Sequence, residues 1–228
     1  MSSIPLNLQA VRQRIESATR AAGRPAQSVR LLAVSKTFPP EAVREAAQAG
    51  LRDFGENYVQ EGVEKIRELA SLGLTWHYIG PIQSNKTRAI AEHFDWVHSI
   101  DRAKIAARLA EARGAGRTEL QVCVQVNVSG EATKSGVAPS EAAQLAKEVA
   151  ALPRLKLRGL MAVPEPTADP ALQRQRFAQL RELRDRMNRD GLAMDTLSMG
   201  MSADLEAAIA EGATMVRVGT AIFGERKA

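Results

Sequence analysis

Short runs rich in β-branched and aromatic residues alternate along the chain with longer stretches of helical period. Eight such runs stand out: 30–35 (RLLAVS), 53–57 (DFGEN), 76–79 (WHYI), 96–99 (WVHS), 120–128 (LQVCVQVNV), 156–162 (KLRGLMA), 196–199 (TLSM) and 215–218 (MVRV). Between them, apolar residues recur at helical spacing, as in Leu8, Val11, Ile15 and Ala18, and in Leu172, Leu180, Leu183 and Met187. Pro39-Pro40 opens one helix, where a missing N–H does no harm, and Gly50 suits its stop. Ser140 and Ser202 are expected N-caps. Parallel neighbours need a return segment of about a dozen residues, so the alternation predicts parallel strands with helical crossovers. Eight units predict closure into an α/β fold of one domain over residues 1–228, a single TIM-type (β/α)8 barrel with an extra N-terminal helix. A doubly wound open sheet would carry a Gly-rich first βα turn, and that position reads SKTFPP.

Composition narrows the function classes. With 228 residues, 45% of them hydrophobic and 25% charged, the chain can bury one sizeable core. Cys123 is the sole cysteine, so neither an intrachain disulfide nor a cysteine metal cluster can form, and a cytoplasmic setting is expected. No apolar run reaches the roughly 18 residues of a membrane span, and the N-terminus has no signal-like apolar stretch. A net charge of +5 raises nucleic acid or an anionic ligand as partners. Basic residues are interleaved with acidic ones, as in RELRDR at 181–186, and aromatics are only 4%, so no nucleic-acid stacking platform is expected. His77, His93 and His98 show no metal-ligand spacing, and no metal is expected.

The chemistry-bearing residues cluster at strand ends. In LLAVSKT the period-2 rule puts Leu32, Val34 and Lys36 on one face, so Lys36 points into the barrel. Desolvation disfavours the ammonium form and makes the amine a nucleophile able to form a Schiff base with an aldehyde. Such a lysine can equally be an exposed flank. Arg217 sits between Val216 and Val218, and a buried guanidinium needs a carboxylate or a ligand acceptor such as a ring nitrogen. Gly219 lets backbone approach a ligand, and its amide with that of Thr220 can hold an anion. Barrels often bind phosphate in the loops after strands seven and eight, which adds Ser198 and its neighbours. Ser202 and Asp204 read as plain helix capping.

AVSKT, FGENYVQE, WHYIGPIQSNK, GLMAVP, SMGMSADLEAAI and VRVGTAIFGE, in collinear order from about Leu31 to the end, resemble the YggS/PROSC family of pyridoxal phosphate homeostasis proteins. The resemblance implies a barrel similar to the N-terminal domain of alanine racemase, with pyridoxal 5'-phosphate as cofactor in an internal aldimine on Lys36. It implies Arg217 facing the pyridine nitrogen and Ser198, Gly219 and Thr220 at the phosphate. It places Asn57, His77 and Met161 in pocket-lining motifs. An arginine there keeps the ring nitrogen unprotonated and makes the ring a poorer electron sink. Racemisation needs a second acid–base group opposite the lysine. Alanine racemase takes a tyrosine for it from an added domain, whereas Tyr58 and Tyr78 here lie in early-strand motifs.

The implied role is therefore reversible storage or transfer of the cofactor, with apo-enzymes as recipients, by a monomer. The alternative is an amino-acid racemase, lyase or transaminase using the same lysine. Lys134, in the loop after the fifth run, reads as a surface lysine and otherwise as a transient acceptor during transfer.

Overall fold

The computed structural model describes residues 3–131 and 135–225. Its strands are β1 Arg30–Val34, β2 Asp53–Glu56, β3 Thr75–Tyr78, β4 Trp96–Ile100, β5 Leu120–Gln125, β6 Leu155–Met161, β7 Thr196–Ser198 and β8 Met215–Val218. They pair in parallel and in sequence order, and β8 returns to β1 to close the barrel. The helices are α1 Ile4–Ala21, α2 Pro40–Gln48, α3 Val59–Glu68, α4 Thr87–His93, α5 Ala103–Ala112, α6 Ala142–Ala150, α7 Pro170–Arg189, α8 Leu205–Ala210 and α9 Thr220–Phe223. This is the expected TIM-type barrel with a helix ahead of its first strand.

The apolar stripes act as read. Leu8, Val11 and Ile15 of α1, and Leu180, Leu183 and Met187 of α7, are buried in the layer between helices and strands. Full burial of each such side chain stabilises the fold by about 1.5–3 kcal/mol. α1 lies against α2, α8 and α9, and Arg14 fixes it to α8 through both carboxylate oxygens of Glu206.

Some boundaries differ from the sequence reading. β5 ends at Gln125, not 128, because the chain turns there into a separate bridge between Val126 and Val137. Neither serine caps its helix: α6 begins after Glu141, and α8 after Asp204, whose carboxylate accepts the Met201 N–H at 2.5 Å. Among the described residues no helix is long and apolar enough to cross a membrane.

Inside the barrel, an apolar layer of Trp96, Cys123 and Met161 stands apart from the main core. Leu32 and Met215 are likewise buried outside the main core, and Ser198, His77, His98 and Arg217 are buried polar side chains. The C-terminal ends of β8, β1 and β2 are neighbours, so residues following these three strands meet at one mouth.

Candidate functional site

Lys36 follows β1 by two residues and is half-buried, and both residues beside it are clamped. Ser35 donates its N–H to the Gly55 carbonyl at 3.0 Å and its hydroxyl to Glu56 Oε1 at 2.6 Å. From α3, Lys65 Nζ donates to the Ser35 carbonyl at 2.7 Å, to Glu56 at 2.8 Å and to Glu61 at 2.6 Å. Glu61 also accepts the Thr37 N–H at 2.6 Å. Glu56 and Lys65 are 0% and 2% exposed. Burial pushes the Glu56 carboxyl up from its ordinary range, with Lys65 pulling the other way. Thr37 has φ +68°, a left-handed conformation rare for a β-branched residue, and such strain persists only where surroundings enforce it.

Arg217, on β8, is 4% exposed and forms no ion pair among the described residues. Its Nη1 donates to the Ser198 carbonyl at 2.6 Å and Oγ at 2.8 Å, and its Nη2 to the Ala162 carbonyl at 2.8 Å. That uses three of the five N–H donors of a guanidinium. Burial lowers its pKa to about 10. The register Ala33↔Val218 sets Gly219 beside Val34, so a Cβ on Gly219 would lie 3.2 Å from the Val34 carbonyl. Gly219 and Thr220 are thereby brought to the same strand end as Lys36. The first N–H groups of a helix lack intrahelical acceptors, and here they belong to the start of α9.

Asn57 completes the mouth from the end of β2. Its Oδ1 is buried without a hydrogen-bond partner among the described residues, while its carbonyl accepts from the Tyr78 hydroxyl at 3.1 Å. Tyr78 also donates to the Pro81 carbonyl at 3.0 Å, and burial pushes its pKa to about 12. Tyr58 is 56% exposed.

Three expected site residues lie deeper than expected. Ser198 Oγ, expected near a phosphate, is engaged by Arg217 and by His98 Nδ1, each at 2.8 Å. His77, expected to line the pocket, bonds through Nδ1 to His98 Nε2 and through Nε2 to Asp53 Oδ1, each at 3.0 Å. Met161, expected beside it, packs in the apolar layer with Trp96 and Cys123 and is 1% exposed. Lys134 lies outside the described residues. The sequence reading missed Asp53, Glu56, Lys65 and His98. Two histidines on adjacent strands, one step and two steps after a tryptophan, were the available signal for His98.

A cavity of about 620 Å³ opens at the opposite end of the barrel, lined by Arg12, Arg24, Arg52 and Asp53 among others. Its arginines are mostly engaged with backbone: Arg12 with Ala49 and Gly50, Arg24 with Ile209 and Ser28, Arg52 with Ala47 and Leu51. They stitch helix C-termini to neighbouring elements.

Residues 6–227 match the family model "Alanine racemase, N-terminal domain". The chain is 64% identical over 226 residues to the pyridoxal phosphate homeostasis protein of Pseudomonas aeruginosa, covering 99% of this chain and 97% of that protein. It is 52% identical over 233 residues to the protein of that name from Escherichia coli, covering 99% and 98%. PipY of Synechococcus elongatus, solved with PLP bound, superposes with TM-score 0.85 at 38% identity, covering 97% of this chain and 100% of that one. Alanine racemase of Clostridium difficile shares the fold at TM-score 0.74 and 16% identity, over 98% of this chain and 56% of that one.

Proposed function

Since the chain belongs to the alanine racemase N-terminal domain family and, within it, to the pyridoxal phosphate homeostasis proteins, we propose that it binds pyridoxal 5'-phosphate (PLP) covalently through Lys36 for storage or transfer. The observation that carries this reading is the meeting of three neighbouring strand ends: Lys36 after β1, Arg217 with Gly219 and Thr220 at β8, and Asn57 after β2.

The residues present fit the group. Asn57 Oδ1 is a buried polar atom in need of a donor, and the absence of a side chain on Gly219 lets it lie close against Val34, at the strand end that Lys36 follows. Arg217 retains donors for a ring nitrogen, and the Gly219 and Thr220 amides suit a phosphate. PLP supplies an aldehyde that condenses with an amine, releasing water, and the link reverses by hydrolysis or by exchange with another amine. Lys36 provides the amine, and the clamp on Ser35 and Thr37 aims it. Arg217, a donor only, leaves the ring nitrogen unprotonated and so restrains carbanion chemistry.

The function is storage and delivery rather than turnover, with apo-enzymes as recipients. Its relatives carry the name of homeostasis proteins, and the Tyr78 hydroxyl is engaged by the Asn57 and Pro81 carbonyls. The proposed setting is the cytoplasm, in keeping with the buried free thiol of Cys123, and the proposed state is a monomer.

The test is the visible spectrum of wild type and Lys36→Ala after addition of PLP, followed by borohydride trapping and peptide mapping. A band in wild type, trapped at Lys36 and absent from the variant, supports the reading; an adduct elsewhere, or none, refutes it. Amino-acid racemisation or transamination at rates typical of dedicated enzymes would replace storage by catalysis.

A further inference from the structure

A line of polar side chains runs through the barrel from Arg217 to the opposite end: Ser198, His98, His77, Asp53. Consecutive contacts are 2.8, 2.8, 3.0 and 3.0 Å. Ser198, His98 and His77 are 0% exposed, and the Asp53 side chain is 19% exposed beside Arg30 at 3.5 Å. The Trp96 ring lies 5.4 Å from His77 and 5.8 Å from His98, walling the pair on an apolar side.

Donor chemistry gives this line one direction. Arg217 can only donate, so Ser198 Oγ accepts from it. At the far end a carboxylate can only accept, so His77 Nε2 carries the proton. Burial lowers the pKa of His77, and that of His98 well below the ordinary value, so both rings are neutral. A neutral His77 protonated on Nε2 must accept at Nδ1, so His98 donates from Nε2 and accepts at Nδ1. The Ser198 hydroxyl supplies that last hydrogen. Every bond therefore points from the cation to the anion, with no donor or acceptor mismatched along the way.

We propose that Asp53, His77, His98 and Ser198 are positioning residues, a one-way hydrogen-bond relay that orients the Arg217 guanidinium and couples it to a carboxylate at the other end of the barrel. Arg217 makes no ion pair among the described residues; Asp204 acts on it only through space, and the relay adds a hydrogen-bonded connection to a second carboxylate. The functional half of the inference rests on the PLP reading above; the direction of the relay does not.

Two measurements separate the halves. In ligand-free protein, long-range 1H–15N NMR of the imidazoles at pH 7 is expected to show both His77 and His98 neutral with the proton on Nε2. A cationic ring or an Nδ1–H tautomer at either position overturns the relay. The second measurement uses PLP-loaded wild type, Asp53→Asn and His98→Asn. Asp53→Asn is the mild variant, since its amide oxygen can still accept from His77 while the charge is gone. Both variants are expected to bind at Lys36 but to shift the visible band and release PLP roughly tenfold faster, the loss of about one charge-assisted hydrogen bond. Spectra and release rates superimposable on wild type in Asp53→Asn overturn the coupling. If wild type takes no PLP at Lys36, the cofactor reading and the functional half fall together, while the NMR still decides the relay.

Discussion

Replacing Lys65 by methionine should be among the most damaging single changes near the site, although Lys65 need touch no ligand. Its ammonium makes three bonds of 2.6–2.8 Å, to Ser35, Glu56 and Glu61. Methionine fills a similar volume but leaves Glu56, 0% exposed, with a charge and no cation beside it. Breaking a buried pair from one side costs about 3–5 kcal/mol. Proton uptake by Glu56, which burial already favours, holds the loss toward the lower end. For a chain of this size that lowers Tm by roughly 6–20 °C. Glu56→Gln keeps an acceptor for Ser35 and leaves Lys65 paired with Glu61, so it should cost only about 1 kcal/mol. The double variant Glu56→Gln/Lys65→Met should be more stable than Lys65→Met alone by about 1 kcal/mol or more. The assay is urea unfolding of ligand-free protein at pH 7, followed by fluorescence and circular dichroism. A Lys65→Met variant within about 1 kcal/mol of wild type, or a double variant equal to the sum of the singles, would refute the account of a buried pair holding the Lys36 turn.

Other expectations can be checked with the same equipment. Gly159→Ala would place a Cβ 1.7 Å from the Thr196 carbonyl, where β6 and β7 meet, and should cost at least about 3 kcal/mol or prevent folding; near-native unfolding midpoints would contradict the register. Thr37→Gly relieves an αL conformation but frees the unfolded chain, so stability should stay within about 1 kcal/mol; a larger loss would show that the exposed threonine side chain matters. Cys123 is fully buried with its thiol pKa pushed to about 12, so a thiol reagent should react only at the rate of global opening, and prompt labelling of native protein would show a breathing barrel. The two buried imidazoles have lowered pKa values, so their contribution is fully present above the unfolded value of 6.5 and is lost as pH falls through the folded values. Unfolding free energies from urea titrations should therefore fall below about pH 6.5 by up to about 1.4 kcal/mol per pH unit per ring, with a smaller slope in His98→Asn; an unchanged slope in that variant would count against it.

The barrel was legible because the apolar runs and stripes state which faces are buried, and parallel order follows from helices long enough to bridge them. Arg217 was legible as a cation inside an apolar strand, and Lys36 as a cation just past the end of another. Ser198 was placed on the right strand, but its contact with His98 was not legible, because nothing in TLSM indicates that an imidazole one hundred residues earlier meets its hydroxyl. Glu56 and Lys65 escaped notice for a related reason. In FGENYVQEGVEK several charges fit a solvated helix face, and only the packing of α3 on β2 shows which of them lie under Ser35. Burial of a charge is a tertiary fact, and alternation along one element does not carry it.

The mouth that gathers Lys36, Gly219 and Thr220 straddles the seam where the first strand meets the last. Such a site does not exist on a growing polypeptide: its amine is synthesised early, but the cradle waits until nearly the whole chain has left the ribosome. An N-terminal fragment lacking Met215–Val218 would keep the lysine and lose the arginine. Under the proposed function, ligand capture would thus double as a check that the barrel has closed.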